Sequence, residues 1–137
     1  MSGEESEMVG AIHRAREAQG RRALRWDVRL ANAARGHAED MRRNPGMVHV
    51  GSDGSQGGER MLEAGYRWER WGEVVGWGFG AEEMVRWWLH SGEHAVWLLA
   101  GDVEDFGVGF APGPFWVVNF GREEKAGDGD DGNPWGF

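Results

Sequence analysis

Three residues of types suited to acid–base or metal chemistry stand out in this chain: Glu73, His49 and His94. Glu73 lies in the run WGEVVGWGF, where Trp71, Val75, Trp77 and Phe79 recur at even spacing on its own side of a strand. A carboxylate on a largely apolar sheet face is costly to bury unless something pairs with it. The two histidines, one upstream and one downstream, are the candidate partners. His37 is kept apart. It falls on the apolar stripe of a helix, where a histidine bonded to backbone is the expected state.

The elements that must position these groups follow from pattern. Met8, Ala11, Ile12 and Ala15 give one apolar face to a helix over 4–19, with Gly20 beyond its end. Ala23 to Trp26 reads as extended. Asp27 is a good N-cap for a second helix, in which Leu30, Ala34, His37, Ala38 and Met41 recur at three- and four-residue steps. Asn44-Pro45-Gly46 ends it. The Gly/Ser/Asp-rich segment 50–58 is a loop with His49 at its mouth, and a short helix over 59–64 follows. A strand is expected over 71–79, a helix over 81–89, and a further short helix over 93–99 capped by Ser91, which puts His94 in its first turn. Two strands, 106–110 and 115–120, form a hairpin around Ala111-Pro112-Gly113-Pro114. Gly107 and Gly109 weaken the first of these unless another backbone approaches it closely. The fold class is α+β, a small antiparallel sheet covered by helices.

Length and composition bound the rest. At 137 residues, with 40% hydrophobic and 28% charged residues, the chain is a single globular domain. Its formal net charge of −8 argues against nucleic acid or an anionic membrane as partner. No cysteine is present, which excludes disulfides and thiolate metal sites. No apolar run is long enough for a membrane span, and the N-terminus MSGEESE does not have the form of a signal peptide. The segment 122–137 is acidic and Gly-rich and is expected to be a disordered tail after a domain over 4–121.

Five segments, in this order, resemble the CAP superfamily of cysteine-rich secretory proteins, insect venom antigens and plant pathogenesis-related proteins. They are LRWDVRLANAARGHAEDM; a His before a Gly/Ser-rich SDG loop; GE at a strand; a Trp-rich helix leading to S-x-x-H; and FGVGFAPGPFWVVNFG. The likeness is to the short, cysteine-free bacterial branch. It implies an α-β-α sandwich, a secreted or extracellular setting, and a central cleft whose histidines and acidic residues can take a divalent metal, often zinc. Position by position, it places the cleft residues at His49, Glu73 and His94. A second acidic position of eukaryotic members falls near Ser91, with Glu93 beside it as a substitute. Two departures bear on metal binding: Val74 stands where bacterial members carry Asn, and Ala95-Val96-Trp97 where they carry Arg-Ala-Asn. The polar groups that orient ligands are missing there.

A non-catalytic binding domain is therefore the leading expectation, with two states of the cleft level: metal-holding, or a hydrogen-bonded cluster that anchors the loop. One alternative is a metal-assisted hydrolase with Glu73 as general base, although the chain has no H-E-x-x-H, no G-x-S-x-G and no Cys nucleophile. The other is capture of an apolar ligand, a lipid or a cell-wall component by a Trp-rich surface. Nine tryptophans make that surface conceivable, and Trp71 and Trp87, with Ser91 and Glu93, are its candidate contacts. Trp87 and Trp88 are adjacent on one helix and cannot both face inward.

Overall fold

The computed structural model describes residues 1–125. Its elements run α1 (Gly3–Ala18), β1 (Arg25–Trp26), α2 (Val28–Arg43), α3 (Gly57–Glu63), β2 (Trp68–Trp77), α4 (Ala81–Leu89), α5 (Gly92–Leu98), β3 (Asp105–Ala111) and β4 (Phe115–Glu123). The termini of the two long helices are set by local chemistry. Ser2 and Glu5 close a capping box at the start of α1. The Asp27 carboxylate accepts from the amides of Arg29 and Leu30 at the start of α2, as the sequence suggested.

The sheet order is β1-β3-β4-β2. The three long strands are antiparallel, as expected, and the two-residue β1 adds a parallel edge to β3. Side chains alternate between two buried faces, which makes three layers. On one face Val74, Val108, Trp116, Val118 and Phe120 pack under α1, α4 and α5, through Met8, Ile12, Met84, Trp88 and Leu98. On the other, Val75, Ala111 and Val117 meet Ala34, Ala38 and Met41 of α2. Arg16, fully buried, bonds the carbonyls of Arg22, Leu98 and Ala100 and so ties α1 to the end of α5.

The glycines of β3 answer the question that the sequence raised. A Cβ on Gly107 would stand 2.1 Å from the Ala31 amide nitrogen, and one on Gly109 would stand 2.3 Å from the carbonyl carbon of Ala34. The α2 backbone lies directly on this strand, and only glycine leaves room for it.

Several boundaries differ from expectation, and α3 starts at Gly57, inside the expected loop. The strand expected over 71–79 begins earlier and ends at Trp77, so Phe79 lies outside it. At the other end β4 runs two residues past Gly121, pairing Glu123 with Trp68, so the ordered domain extends beyond the expected boundary. Most of the expected tail, 126–137, falls outside the described residues.

Candidate functional site

β2 is an outer strand, and the candidate site wraps its free edge. Glu73 points to the α2/α3 side, with only 1% of its side chain exposed. Two groups hold it there. The Arg60 guanidinium of α3 donates through one nitrogen to both carboxylate oxygens, at 2.9 and 3.1 Å, and His49 Nδ1 lies 2.9 Å from Oε1. Arg60 also donates to the carbonyls of His49 and Ser55, so one buried cation fixes both the carboxylate and the loop. A buried carboxylate with an ion pair and a further hydrogen bond meets the requirement that its burial imposes. The sequence-level expectation that two histidines supply that pairing is corrected here: the charge partner is Arg60, and His94 is not bonded to Glu73.

Close approach of α3 makes this contact possible. A Cβ on Gly57 would lie 2.9 Å from the Trp71 ring and 3.1 Å from the Glu73 carboxylate, so the helix start needs a residue without one. The loop is pinned from below as well. Buried His37 Nε2 bonds the carbonyl of Val48, the residue before His49, and the ring's Nδ1 has no partner. His37 is thus the backbone-bonded core histidine that its position implied. With Nδ1 engaged by Glu73, Nε2 of His49 has no partner among the described residues, and the side chain is 46% exposed.

His94 reaches the same edge from the opposite face, in the first turn of α5. Its Nδ1 lies 2.9 Å from Ser91 Oγ, and its ring stacks on Trp88 at 6.4 Å between centroids. Ser91 occupies the N-cap position, but its side chain makes no cap bond and serves the imidazole. Burial pushes the His94 pKa below its ordinary value; the nearby His49 pushes it down further, against a rise from Glu93. Its neutral form is therefore favoured.

Beside His94 the edge of β2 opens into an apolar groove of about 300 Å³, lined by Val48, Val75, Gly76, Trp77, Phe79, Met84, Trp87, Trp88 and His94. The Trp88 indole N–H donates to the Val75 carbonyl, capping part of the strand's free edge. Trp87, adjacent in sequence, is 59% exposed and stacks on Phe79.

The structure thus joins His49 to Glu73, brings His94 with Ser91 to the same edge, and sets Trp87 in the groove wall. Two candidates are placed elsewhere. Trp71 is half-buried under α3 beside Trp68, a packing position, and Glu93 is exposed to solvent. Arg60, Val48 and Trp77 escaped the sequence reading. For Arg60 a signal existed: a strand carboxylate that must be buried demands a cation, and GGERM, just before the strand, supplies one beside two small residues.

The donor set bears on metal binding. Among the described residues no three His, Asp or Glu side chains gather closely enough to hold a metal ion. Arg60 and His49 already take up the oxygens of Glu73. The residues present leave Glu73 behind His49 in an orienting role. They do not fit a three-ligand site that includes the carboxylate.

Comparison with known proteins bears on the fold and the family. The chain is 32% identical, over 87 residues, to an uncharacterized membrane protein of Bacillus subtilis, YlbC; the match covers 63% of this chain and 25% of that protein. The fold is that of an extracellular SCP-domain protein of Bacillus anthracis (TM-score 0.83, 24% identity, covering 88% of this chain and 41% of the other). It is also that of an outer surface protein of Borrelia burgdorferi (TM-score 0.79, 20% identity, covering 90% and 97%). The chain thus spans about a quarter of the curated relative and under half of the first of these structures. The model of the cysteine-rich secretory protein family matches residues 9–120, and with the three-layer fold already described it shows that the chain belongs to the CAP family.

Proposed function

We propose that this chain is a non-catalytic CAP-type binding domain, working outside the cell or at its surface, whose ligand enters the apolar groove along the free edge of β2. His94 lines this groove and His49 adjoins it through Val48, which does line it; in this reading their Nε2 atoms hold a divalent metal such as zinc. The observation that carries this reading is a pair of imidazoles from separate elements, each with Nδ1 held by a neighbour. The Glu73 carboxylate, which can only accept, fixes both ring orientation and tautomer of His49, and the Ser91 hydroxyl fixes the ring orientation of His94. An apolar groove of this size suits part of a lipid or of another apolar ligand. The extracellular setting is supported by the descriptions of the Bacillus anthracis and Borrelia relatives. Among the described residues no helix is long and apolar enough to cross a membrane.

The hydrolase reading, with Glu73 as general base, is less well supported. A carboxylate already paired with a guanidinium and an imidazole N–H is poorly placed to take a proton from water. Its geometry is that of a group that orients His49.

Calorimetric titration of zinc into the wild-type chain and into His49→Ala and His94→Ala tests the proposal. A saturable site weakened roughly tenfold or more by either substitution is expected. An identical response from all three proteins removes the metal from the account.

A further inference from the structure

The far side of Trp87 carries a second groove, and its chemistry differs from that of the first. Its cavity of about 510 Å³ is lined by Phe79, Glu83, Arg86, Trp87 and His90. Phe79 and Trp87 stack at 6.2 Å with their planes 24° apart and form the wall that the two grooves share. The face of Trp87 is largely open, with 59% of the residue exposed.

The charges around this groove are unusual for this molecule. Eleven of the fourteen arginines are held in ion pairs among the described residues; Arg86, like Arg16 and Arg21, is not. Glu83 stands three residues earlier on α4, at a spacing that brings side chains together on a helix, and it too has no partner among the described residues. His90 bonds the Arg86 carbonyl through Nδ1, which leaves its Nε2 edge available. An open indole face is thus flanked by a free cation, a free carboxylate and an imidazole.

We propose that this outer groove is a binding site for a neutral oligosaccharide, with a pyranose ring stacked on Trp87 and its hydroxyls bonded by Glu83, Arg86 and His90. The chemistry selects this class. The C–H face of a pyranose matches an aromatic wall, and vicinal hydroxyls match planar groups that donate and accept in pairs. An acyl chain would have to desolvate two full charges and gain nothing for them. An anionic polymer meets a chain of net charge −8, with Glu82 next to Glu83. This site goes beyond the His49/His94 cleft and shares only Trp87 and Phe79 with it.

Titration of the full chain with an N-acetylglucosamine tetramer and with cellotetraose, followed by calorimetry and tryptophan fluorescence, tests the proposal. Saturable binding of at least one of them is expected. Arg86→Ala and Glu83→Gln should each weaken it at least about fivefold, and Trp87→Ala should abolish it. All three positions are exposed, so melting temperatures should not move; if Trp87→Ala melts early, the other two variants decide. His49→Ala should leave sugar binding unchanged, and Arg86→Ala should leave zinc binding unchanged, so failure of one site is distinguishable from failure of the other. Flat titrations with both sugars to roughly 10 mM overturn the proposal. So does binding that is indifferent to Arg86→Ala and Glu83→Gln, or a fatty acid that binds at Trp87 where the sugars do not.

Discussion

Removing Arg60 should be far more damaging than removing any other arginine that pairs with a carboxylate at the surface. The Glu73 side chain is 1% exposed and that of Arg60 11%, with contacts of 2.9 and 3.1 Å between them. Unit charges about 4 Å apart in a medium of effective dielectric about 20 attract by roughly 4 kcal/mol, which offsets much of their desolvation. Arg60→Met leaves the carboxylate buried with His49 alone, and deletes the bonds to the carbonyls of His49 and Ser55. The expected loss is about 3–5 kcal/mol. In a chain of this size that lowers the melting temperature by roughly 10–20 °C. The double variant Arg60→Met/Glu73→Gln removes both charges and should recover most of the loss, because a buried pair replaced as a unit costs little. Thermal and urea melts of the two single variants and the double variant give the coupling directly. A loss under about 1 kcal/mol for Arg60→Met, the size of an exposed ion pair, or strict additivity of the two substitutions would refute the reasoning.

The remaining predictions concern the frame that positions the site. Gly107→Ala sets a methyl against the α2 backbone, which cannot move aside as a side chain can, and should cost about 3 kcal/mol or more; failure to lower the melting temperature contradicts the close approach. Burial acts to raise the pKa of Glu5, but bonds from Arg35 and the Ser2 amide outweigh it and hold the carboxyl below its ordinary value. A depressed folded pKa contributes stability that is fully present above the unfolded value of about 4.3 and is lost as pH falls through the folded value. Arg35→Gln should therefore lower the melting temperature at neutral pH and flatten its decline below about pH 4; an unchanged acid limb counts against the pair. His37→Gln should speed amide exchange in 47–56 while the sheet stays protected, since the buried ring holds the Val48 carbonyl; unchanged exchange there removes the anchor.

Much of the frame was legible because it rests on local chemistry. Asp27 announced the start of α2, and the spacing of Leu30, Ala34, His37, Ala38 and Met41 announced its buried face. The glycines of β3 were legible as a question and needed coordinates for an answer, because what approaches them comes from 74–76 residues earlier in the chain (Ala31 against Gly107; Ala34 and Arg35 against Gly109). Glu73 was recognisable as a buried carboxylate in need of a partner. Its partner was not, since Arg60 belongs to a separate short helix, and nothing in the spacing says that α3 folds back onto β2. The tryptophans mark the limit most clearly. Trp87 and Trp88 had to diverge, and they do, but only tertiary packing decides that Trp71 lies under α3 while Trp77 is left open at the groove.

The most direct test of the account is a long-range ¹H–¹⁵N correlation spectrum of the five histidine side chains, recorded as zinc is added to the full chain. Nε2 of His49 and Nε2 of His94 should shift together at the same zinc ratio, with Nδ1 of His49 still protonated against Glu73. Response of only one of them, or of His13, His37 or His90 in their place, would contradict the shared site at the edge of β2.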